Sequence, residues 1–270
     1  MVHPSAAPVC KMRLRYAKRG KLRFTSHRDV ARMFERALRR AGLPMAYSQG
    51  FNPHPKVSWV GAAPTGTASE AEYFEIQLVA FADPEVVRVE LDAVLPVGLA
   101  VLDSVLAGPG GLAERIEAGR WRIEVPGVGA EQLRHAVSAL LDTPEVLVER
   151  VVKDGRRRID ARAAIVSLEV EESLVRPAGP GHLSECGILI AVVRQVSPAV
   201  RPDDVLSALG VVAGLRPLVP VRATRMAQGR LDDDGGLVDP LAPDRASARM
   251  APVESGGGEP DQHGVAGHTS

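Results

Sequence analysis

The spacing of apolar residues switches between two patterns along residues 11–107, and the order of these patterns constrains the fold more than any other feature of this chain. Apolar residues at every second position predict strands, and apolar residues at a spacing of three or four predict helices. The predicted elements are a strand at 11–16, a helix at 26–41, strands at 57–60 and 72–79, a helix at 84–95 and a strand at 100–106. This β-α-β-β-α-β order predicts a ferredoxin-like domain.

A second set of elements follows a Gly/Pro linker at 108–111. The order of strands and helices over 119–228 is similar, with one extra strand that finds no place in it. We therefore expect a second α+β domain, again ferredoxin-like, although no sequence repeat relates it to the first. Its predicted elements are strands at 121–125, 145–152, 164–171, 187–196 and 218–224 and helices at 130–141 and 202–209.

The last segment, residues 229–270, is rich in Asp, Gly, Pro and Ser. A segment of this composition buries too little apolar surface to offset the entropy lost on ordering, so a disordered tail is predicted. The predicted fold class is thus α+β, with two tandem ferredoxin-like domains at 11–107 and 119–228 and a disordered C-terminal tail.

The charge of the chain is distributed unevenly. Its 270 residues include 33 Lys or Arg and 33 Asp or Glu, which excludes a uniformly basic nucleic-acid-binding protein. Residues 1–60, however, contain thirteen Lys or Arg and two acids, a net charge of +11. Such an asymmetry predicts an anionic partner for the N-terminal part.

The cysteines and the missing motifs limit the chemistry further. Cys10 and Cys186 are too few for a four-cysteine zinc site or for an iron–sulfur cluster held by three or four cysteines. No P-loop, dinucleotide-binding glycine motif, GxSxG or HExxH motif occurs, so no cofactor and no metal are expected. No apolar run approaches the roughly 20 residues of a membrane span, and residues 1–12 lack the apolar core of an export signal. We expect a cytoplasmic protein with reduced thiols and no membrane contact.

The segment YSQGFNPHPKVS, residues 47–58, concentrates hydrogen-bonding side chains around two prolines. Prolines restrict the backbone, so the polar groups beside them lose little entropy when they bind a ligand. Phe51 is expected to anchor this loop in the core. The alternative to a binding loop is an ordered surface turn with Phe51 as its hydrophobic plug. The predicted substrate-binding residues are Tyr47, Gln49, Asn52, Lys56 and Ser58, and His54 is a candidate catalytic residue.

A second candidate catalytic residue, His27, lies in the first turn of the helix predicted to begin at Ser26. Ser26 and Asp29 have the spacing of a capping box. His27 then lies beside the free N–H groups of the helix N-terminus, where anions are favoured. The alternative is that Ser26 and Asp29 only cap the helix and His27 is solvated.

Arginines recur along the same helix at spacings of three or four, on the face opposite its apolar residues. With the arginines of the first strand they predict a basic surface suited to phosphate groups. The alternative is an ordinary solvated helix face. The predicted phosphate- or nucleic-acid-binding residues are Arg13, Arg15, Arg28, Arg32 and Arg36.

Glu70 and Glu72 lie two positions apart, on one side of a strand if the strand begins that early. Two carboxylates without a third ligand are a weak signal for a cation site. Structural ion pairs are therefore the favoured interpretation of this pair.

Several short motifs occur together within residues 11–106. They are Phe24, Ser26, His27 and Asp29; FERALRRAGLP at 34–44; YSQGFNPHP at 47–55; and Gly66, Ser69, Glu70, Glu72 and Tyr73. In this combination the segment resembles a bacterial family of uncharacterised proteins described as radical SAM-associated or radical SAM-linked. The second domain carries no sharp motif of that family.

The resemblance implies an accessory protein, because members of the family are often fused to, or encoded beside, a radical SAM protein with a cobalamin-type domain. Such a protein would bind or present a substrate to that partner, and the basic surface makes RNA the candidate substrate. The cysteine count agrees with a partner that holds the cluster. Two alternatives remain open: a stand-alone RNA-processing or RNA-modifying enzyme that uses His27 and His54, and a structural interaction module. The sequence thus leaves open whether the chain is itself an enzyme.

Overall fold

The computed structural model describes residues 7–152, 155–179 and 182–250. Its N-terminal half follows the predicted order of elements closely. These elements are β1 (Cys10–Lys18), α1 (His27–Arg40), β2 (Val57–Val60), β3 (Ala68–Leu78), α2 (Pro84–Val94) and β4 (Leu99–Leu106).

Local sequence signals explain where the two helices of this half begin and end. The side chain of Ser26 accepts a hydrogen bond from the backbone N–H of Asp29, and that of Asp83 accepts from the N–H groups of Glu85 and Val86. Both side chains satisfy N–H groups that have no partner inside the helix. Gly42, two residues after α1, adopts a φ of 66°, which glycine tolerates best.

The C-terminal half adds a small hairpin and two elements near the chain end. Its elements are β5 (Ala118–Pro126), α3 (Ala130–Leu141), β6 (Leu147–Val152), β7 (Gly155–Asp160), α4 (Ala161–Ala164), β8 (Ile165–Gly179), β9 (His182–Arg194), α5 (Pro202–Ala213), β10 (Arg222–Leu231), β11 (Leu237–Val238) and α6 (Ala242–Met250). The strand that the sequence analysis could not place belongs to the separate β6–β7 sheet. None of the helices in the described part of the chain combines the length and apolar character that a membrane crossing requires.

One large sheet runs through both halves, which makes the fold a mixed α/β architecture. Its strands lie in the order β4-β1-β3-β10-β5-β9-β8, with β2 paired to β3 and β11 paired to β10. The two halves join where β10 pairs in parallel with β3, at Thr224 beside Ala68 and Arg225 beside Ser69. The sheet is therefore continuous across the two predicted domains.

Each half has its own hydrophobic core. In the first, Phe34 and Leu38 of α1 and Leu91 of α2 pack on Leu14 and Phe74 of the sheet. In the second, side chains of α3 and α5 pack on strands β5 and β9. The helices of each half thus cover one face of its part of the sheet.

The predicted disordered tail is wrong for residues 229–247. This segment completes β10, forms β11 and begins α6, where Leu241 and Asp244 are 0% and 1% exposed. Leu241 packs with Tyr73 and Leu112 in a third, smaller core. Composition rules miss the segment because it is held by one large apolar side chain and by ion pairs to distant residues. Residues 251–270 of the predicted tail lie outside the described residues.

Candidate functional site

Ser26 caps the N-terminus of α1 as predicted, but the side chain of Asp29 bonds to the hydroxyl of Ser26 in place of the backbone N–H that a capping box requires. Asp29 donates its N–H to Oγ of Ser26 over 3.3 Å, and that hydroxyl donates to Oδ2 of Asp29 over 2.6 Å. His27, the first residue of the helix, is exposed, and its ring centroid lies 5.3 Å from that of Trp59 in an edge-on contact. The ring therefore stands at the border between the aromatic core and solvent.

His54 lies in the 47–58 loop and is also exposed. No hydrogen bond, ion pair or ring contact joins His27 to His54 in the parts of the chain that the structure describes. The structure thus provides no geometry for an acid/base pair made of these two side chains.

The 47–58 loop is a closed surface turn held mainly by its backbone. Ser48 and His54 exchange two hydrogen bonds: the N–H of Ser48 donates to the carbonyl of His54 over 2.9 Å, and the N–H of His54 donates to Oγ of Ser48 over 3.0 Å. The backbone of Lys56 bonds to Ala46 and Gln77, which ties the loop to β3. The predicted binding side chains Gln49, Asn52 and Ser58 are exposed, while Tyr47 and Lys56 are half-buried.

Phe51 does not anchor this loop: its side chain is fully exposed. Another aromatic residue of the same region, Trp59, is partly buried and packs against the first core. Trp59 stacks on Phe74 with 4.9 Å between ring centroids and also contacts Tyr16 and Phe34. The loop therefore presents an apolar side chain to solvent, beside polar ones.

The predicted basic surface divides into an accessible and an inaccessible part. Arg28, Arg32 and Arg36 are exposed along α1, and the nearest carboxylate contact is that of Arg32 with Asp29, at 3.6 Å. Arg36 also lines an open groove of about 580 Å³ between α1 and α2, together with Arg40. These side chains remain available to an anionic partner.

Arg13 is not available to one, because its side chain is buried on the other face of the sheet. Nε donates to Glu75 over 2.9 Å and Nη1 donates to Asp244 over 2.7 Å. Burial by itself would lower the pKa of Arg13, but the hydrogen bonds and charges of Asp244 and Glu75 raise it above its ordinary value. The predicted phosphate-binding role of Arg13 is therefore wrong, because α6 covers this face.

Arg15 lies on the same covered face, two positions further along β1. It is half-buried, and its Nε has no hydrogen-bond partner among the described residues. Burial raises the pKa of the neighbouring Tyr73 to about 12, and the charge of Arg15 opposes that shift. Arg15 thus points toward the third core and away from the exposed arginines of α1.

Both glutamates of the Ser69–Glu72 segment form ion pairs, as the sequence predicted. Glu70 accepts from Nε of Arg19 over 2.7 Å. Glu72 is buried; it accepts from the N–H of Ala63 over 2.9 Å and pairs with Arg225 of β10.

The pair of Glu72 and Arg225 belongs to a site that the sequence analysis missed. Arg225 reaches across the β3–β10 junction and lines a cavity of about 310 Å³ together with Trp121 and Gln228. Lys18, which is 3% exposed, lies close enough to feel the charges of both Glu72 and Arg225. No spacing in the sequence could reveal this cluster, because Glu72 and Arg225 are 153 positions apart.

Three solved structures illustrate the partial likeness of the chain to known folds. Thermus thermophilus Cse3, bound to an RNA representing a pre-cleavage complex, is 15% identical; the match covers 78% of this chain and 98% of that one, with a TM-score of 0.20. DyPB from Rhodococcus jostii RHA1 is 10% identical over 70% of this chain and 81% of that one, with a TM-score of 0.21. The encapsulated DyP-type peroxidase from Mycobacterium smegmatis is 9% identical over 84% and 94%, with a TM-score of 0.19. At such scores these likenesses support no conclusion about fold or function.

Sequence comparison is more informative. No curated protein matches the chain significantly. A family model described as "Uncharacterized protein conserved in bacteria (DUF2344)" matches residues 11–202, which is well over half of the chain and includes α1, the 47–58 loop and Glu72. The chain therefore belongs to this bacterial family.

Proposed function

We propose that the protein is a substrate-binding accessory component that holds RNA for a radical SAM partner. The observation that carries RNA binding is the exposed basic face of α1. Its helix sequence, HRDVARMFERALRR, contains five arginines and two acids, and all five arginines are exposed. Exposed arginines along one face suit the regularly spaced charges of a nucleic-acid backbone.

The two cysteines support the division of labour with a partner. Cys10 lies on β1 and Cys186 on β9, and three strands separate β1 from β9 in the sheet. At about 4.8 Å per strand, the two thiols are roughly 19 Å apart across the sheet and do not share a ligand. The partner itself is suggested by the family resemblance of residues 11–106.

The fold that we propose for this component is a pair of ferredoxin-like units. In the first half β1 lies between β4 and β3, and β2 pairs with β3. In the second half β5 lies between β10 and β9, and β8 pairs with β9. Both arrangements fit the split β-α-β connection of that fold. The two helices are α1 and α2 in the first half and α3 and α5 in the second.

RNA binding is tested by the dependence of affinity on salt. Fluorescence anisotropy with a single-stranded RNA is measured for the wild type and for the triple variant Arg28→Glu, Arg32→Glu, Arg36→Glu. Each phosphate that an arginine no longer neutralises flattens the slope of log affinity against log salt by about 0.7, so we expect a change of about 2 for the triple variant. The matched control reverses three exposed arginines of the other half, at Arg134, Arg157 and Arg158.

Three results would contradict this assignment: no binding by the wild type at low salt, an unchanged slope in the α1 variant, or an equal weakening in the control. The partnership is tested separately by affinity capture of the full chain from cells that express the radical SAM protein. We expect an iron–sulfur protein in the captured fraction, and its absence would contradict the accessory role.

A further inference from the structure

The cavity of about 310 Å³ at the β3–β10 junction lies between the two halves of the molecule. Arg225 and Trp121 are buried in its wall, whereas Arg194 and Arg201 are exposed at its mouth. Val200, just before α5, adds an apolar side. The cavity thus combines a buried polar end with an apolar wall and a charged entrance, as ligand sites commonly do.

Arg225 is the feature that indicates a ligand. The residue is 5% exposed; Nη1 donates to Oε1 of Gln228 over 3.0 Å, and Nη2 donates to the carbonyl of Gly61 and to Glu72. Its Nε is also buried but has no hydrogen-bond partner among the described residues. A buried N–H without an acceptor is costly, so an oxygen atom supplied from the cavity would stabilise this arrangement.

The charges around the cavity define what that oxygen belongs to. Among the residues that the structure describes, three arginines and no Asp or Glu line the cavity. Arg194 and Arg201 form no ion pair with any residue of the described ranges, so both guanidinium groups can bind a ligand. Behind the wall, Arg225 pairs with the buried carboxylate of Glu72, and the buried side chain of Lys18 lies near both. The local excess of positive charge favours an anion.

We propose that this cavity binds a compact organic phosphate the size of a single nucleotide. The phosphate lies between Arg194 and Arg201, whose planar guanidinium groups match phosphate oxygens. The organic part packs against Val200 and the edge of Trp121, and one of its oxygens accepts from Nε of Arg225. A volume of about 310 Å³ is at the small end of ligand pockets, which excludes longer oligonucleotides from the interior. The site is separate from the basic face of α1 and does not depend on RNA binding there.

The proposal is tested by isothermal titration calorimetry of the full chain with AMP and UMP. Inorganic phosphate and adenosine are titrated separately, because they represent the phosphate part and the nucleoside part of AMP. The first variant, Arg194→Gln with Arg201→Gln, removes two exposed charges, and Arg157→Gln with Arg158→Gln is its matched control. The second variant, Ala62→Phe, fills the cavity from an exposed lining position without changing any charge. Arg225 itself is left in place, because its loss would strand the buried Glu72.

We expect AMP or UMP to bind, and the affinity to fall at least about tenfold in the Arg194→Gln, Arg201→Gln variant and in Ala62→Phe but not in the control. Adenosine and inorganic phosphate should each bind more weakly than AMP. The proposal is overturned if neither nucleotide binds, if both cavity variants bind as well as the wild type, or if adenosine or phosphate binds as tightly as AMP. The α1 triple variant should keep nucleotide binding, which separates a failure of this site from a failure of RNA recognition by α1.

Discussion

Arg13 and Asp244 form a buried ion pair that joins the first strand to the last helix, with 2.7 Å between Nη1 and Oδ1 and 231 positions between the two residues. Asp244 also accepts from Nη1 of Arg115 over 2.8 Å and from the N–H of Gly108 over 2.9 Å. A single carboxylate thereby holds β1, the segment after β4 and α6 together. Together with buried Leu241, it holds a segment with little apolar content in place.

Replacing Asp244 should destabilise the protein. Asp244→Ala leaves Arg13 buried with only Glu75 as a carboxylate partner, and breaking a buried pair in this way costs about 3 kcal/mol. Urea denaturation followed by circular dichroism measures the loss. Asp233→Ala removes an exposed carboxylate and should change the unfolding free energy by less than about 0.5 kcal/mol. Equal effects of the two substitutions would show that the pair is not structural.

The same pair predicts a pH dependence. Burial raises the pKa of Asp244, but the hydrogen bonds from Arg13, Arg115 and Gly108 outweigh it and hold the pKa below the ordinary value of 3.8. A carboxylate whose pKa is lower in the folded protein contributes stability above pH 3.8, and this contribution is lost as the pH falls through the folded pKa. The stability difference between the wild type and Asp244→Ala should therefore shrink on acidification below pH 3.8. If the stability difference between the two proteins did not change with pH, the lowered pKa of Asp244 would be contradicted.

Deleting the segment that carries Asp244 should also destabilise the protein, because the buried ion pair with Arg13 is lost. Deleting residues 235–270 removes β11 and α6, including buried Leu241 and Asp244. We expect a drop in melting temperature at least as large as that of Asp244→Ala. Deleting only residues 251–270 removes none of the described contacts and serves as the control. If the longer deletion left the melting temperature unchanged, α6 would not contribute to stability.

Phe51 and Phe34 provide a matched pair of aromatic truncations. Phe51 is fully exposed, so Phe51→Ala should change the unfolding free energy by less than about 0.5 kcal/mol. Phe34 is 0% exposed in the first core, so Phe34→Ala should cost about 3–5 kcal/mol. Chemical denaturation of both variants measures these changes. A large loss of unfolding free energy in Phe51→Ala would mean that the loop packs on the core.

The stability of the protein should also depend on the protonation of Lys18. In contrast to Asp244→Ala, replacing Lys18 should stabilise the protein. Burial lowers its pKa from 10.5; the charge of Glu72 opposes this shift and that of Arg225 adds to it. Below its folded pKa the buried ammonium penalises folding, and the penalty disappears as the pH rises toward 10.5. Lys18→Met should therefore raise the melting temperature at neutral pH, and the gain should narrow toward pH 10.5. A variant that is less stable than the wild type at neutral pH would contradict this account.

Elements with local signals could be predicted from the sequence. The start of α1 follows from Ser26 and the start of α2 from Asp83, because a capping side chain acts on N–H groups two or three residues away. The alternation of β1 likewise predicts a strand correctly. It does not show which of its faces is covered, and the basic face of Arg13 and Arg15 turns out to lie under α6.

One candidate site could be predicted from local sequence signals, and the other could not. The exposed arginines of α1 follow from helical spacing within one element. The cluster of Arg225, Glu72 and Lys18 arises only when β10 pairs with β3, so it depends on tertiary structure alone. Phe51 shows the limit of judging burial from residue type: it is fully exposed, whereas Trp59 packs against the first core.

The central place of β10 also affects how the chain is made. Residues 222–231 form a middle strand of the sheet although they are synthesised after both helical pairs. Until they leave the ribosome, the Ala68–Ser69 part of β3 and the facing edge of β5 have unpaired backbone groups, which are open to association with other chains. Productive folding of the sheet thus waits for the synthesis of β10, and we expect nascent chains stalled before residue 222 to depend on chaperones.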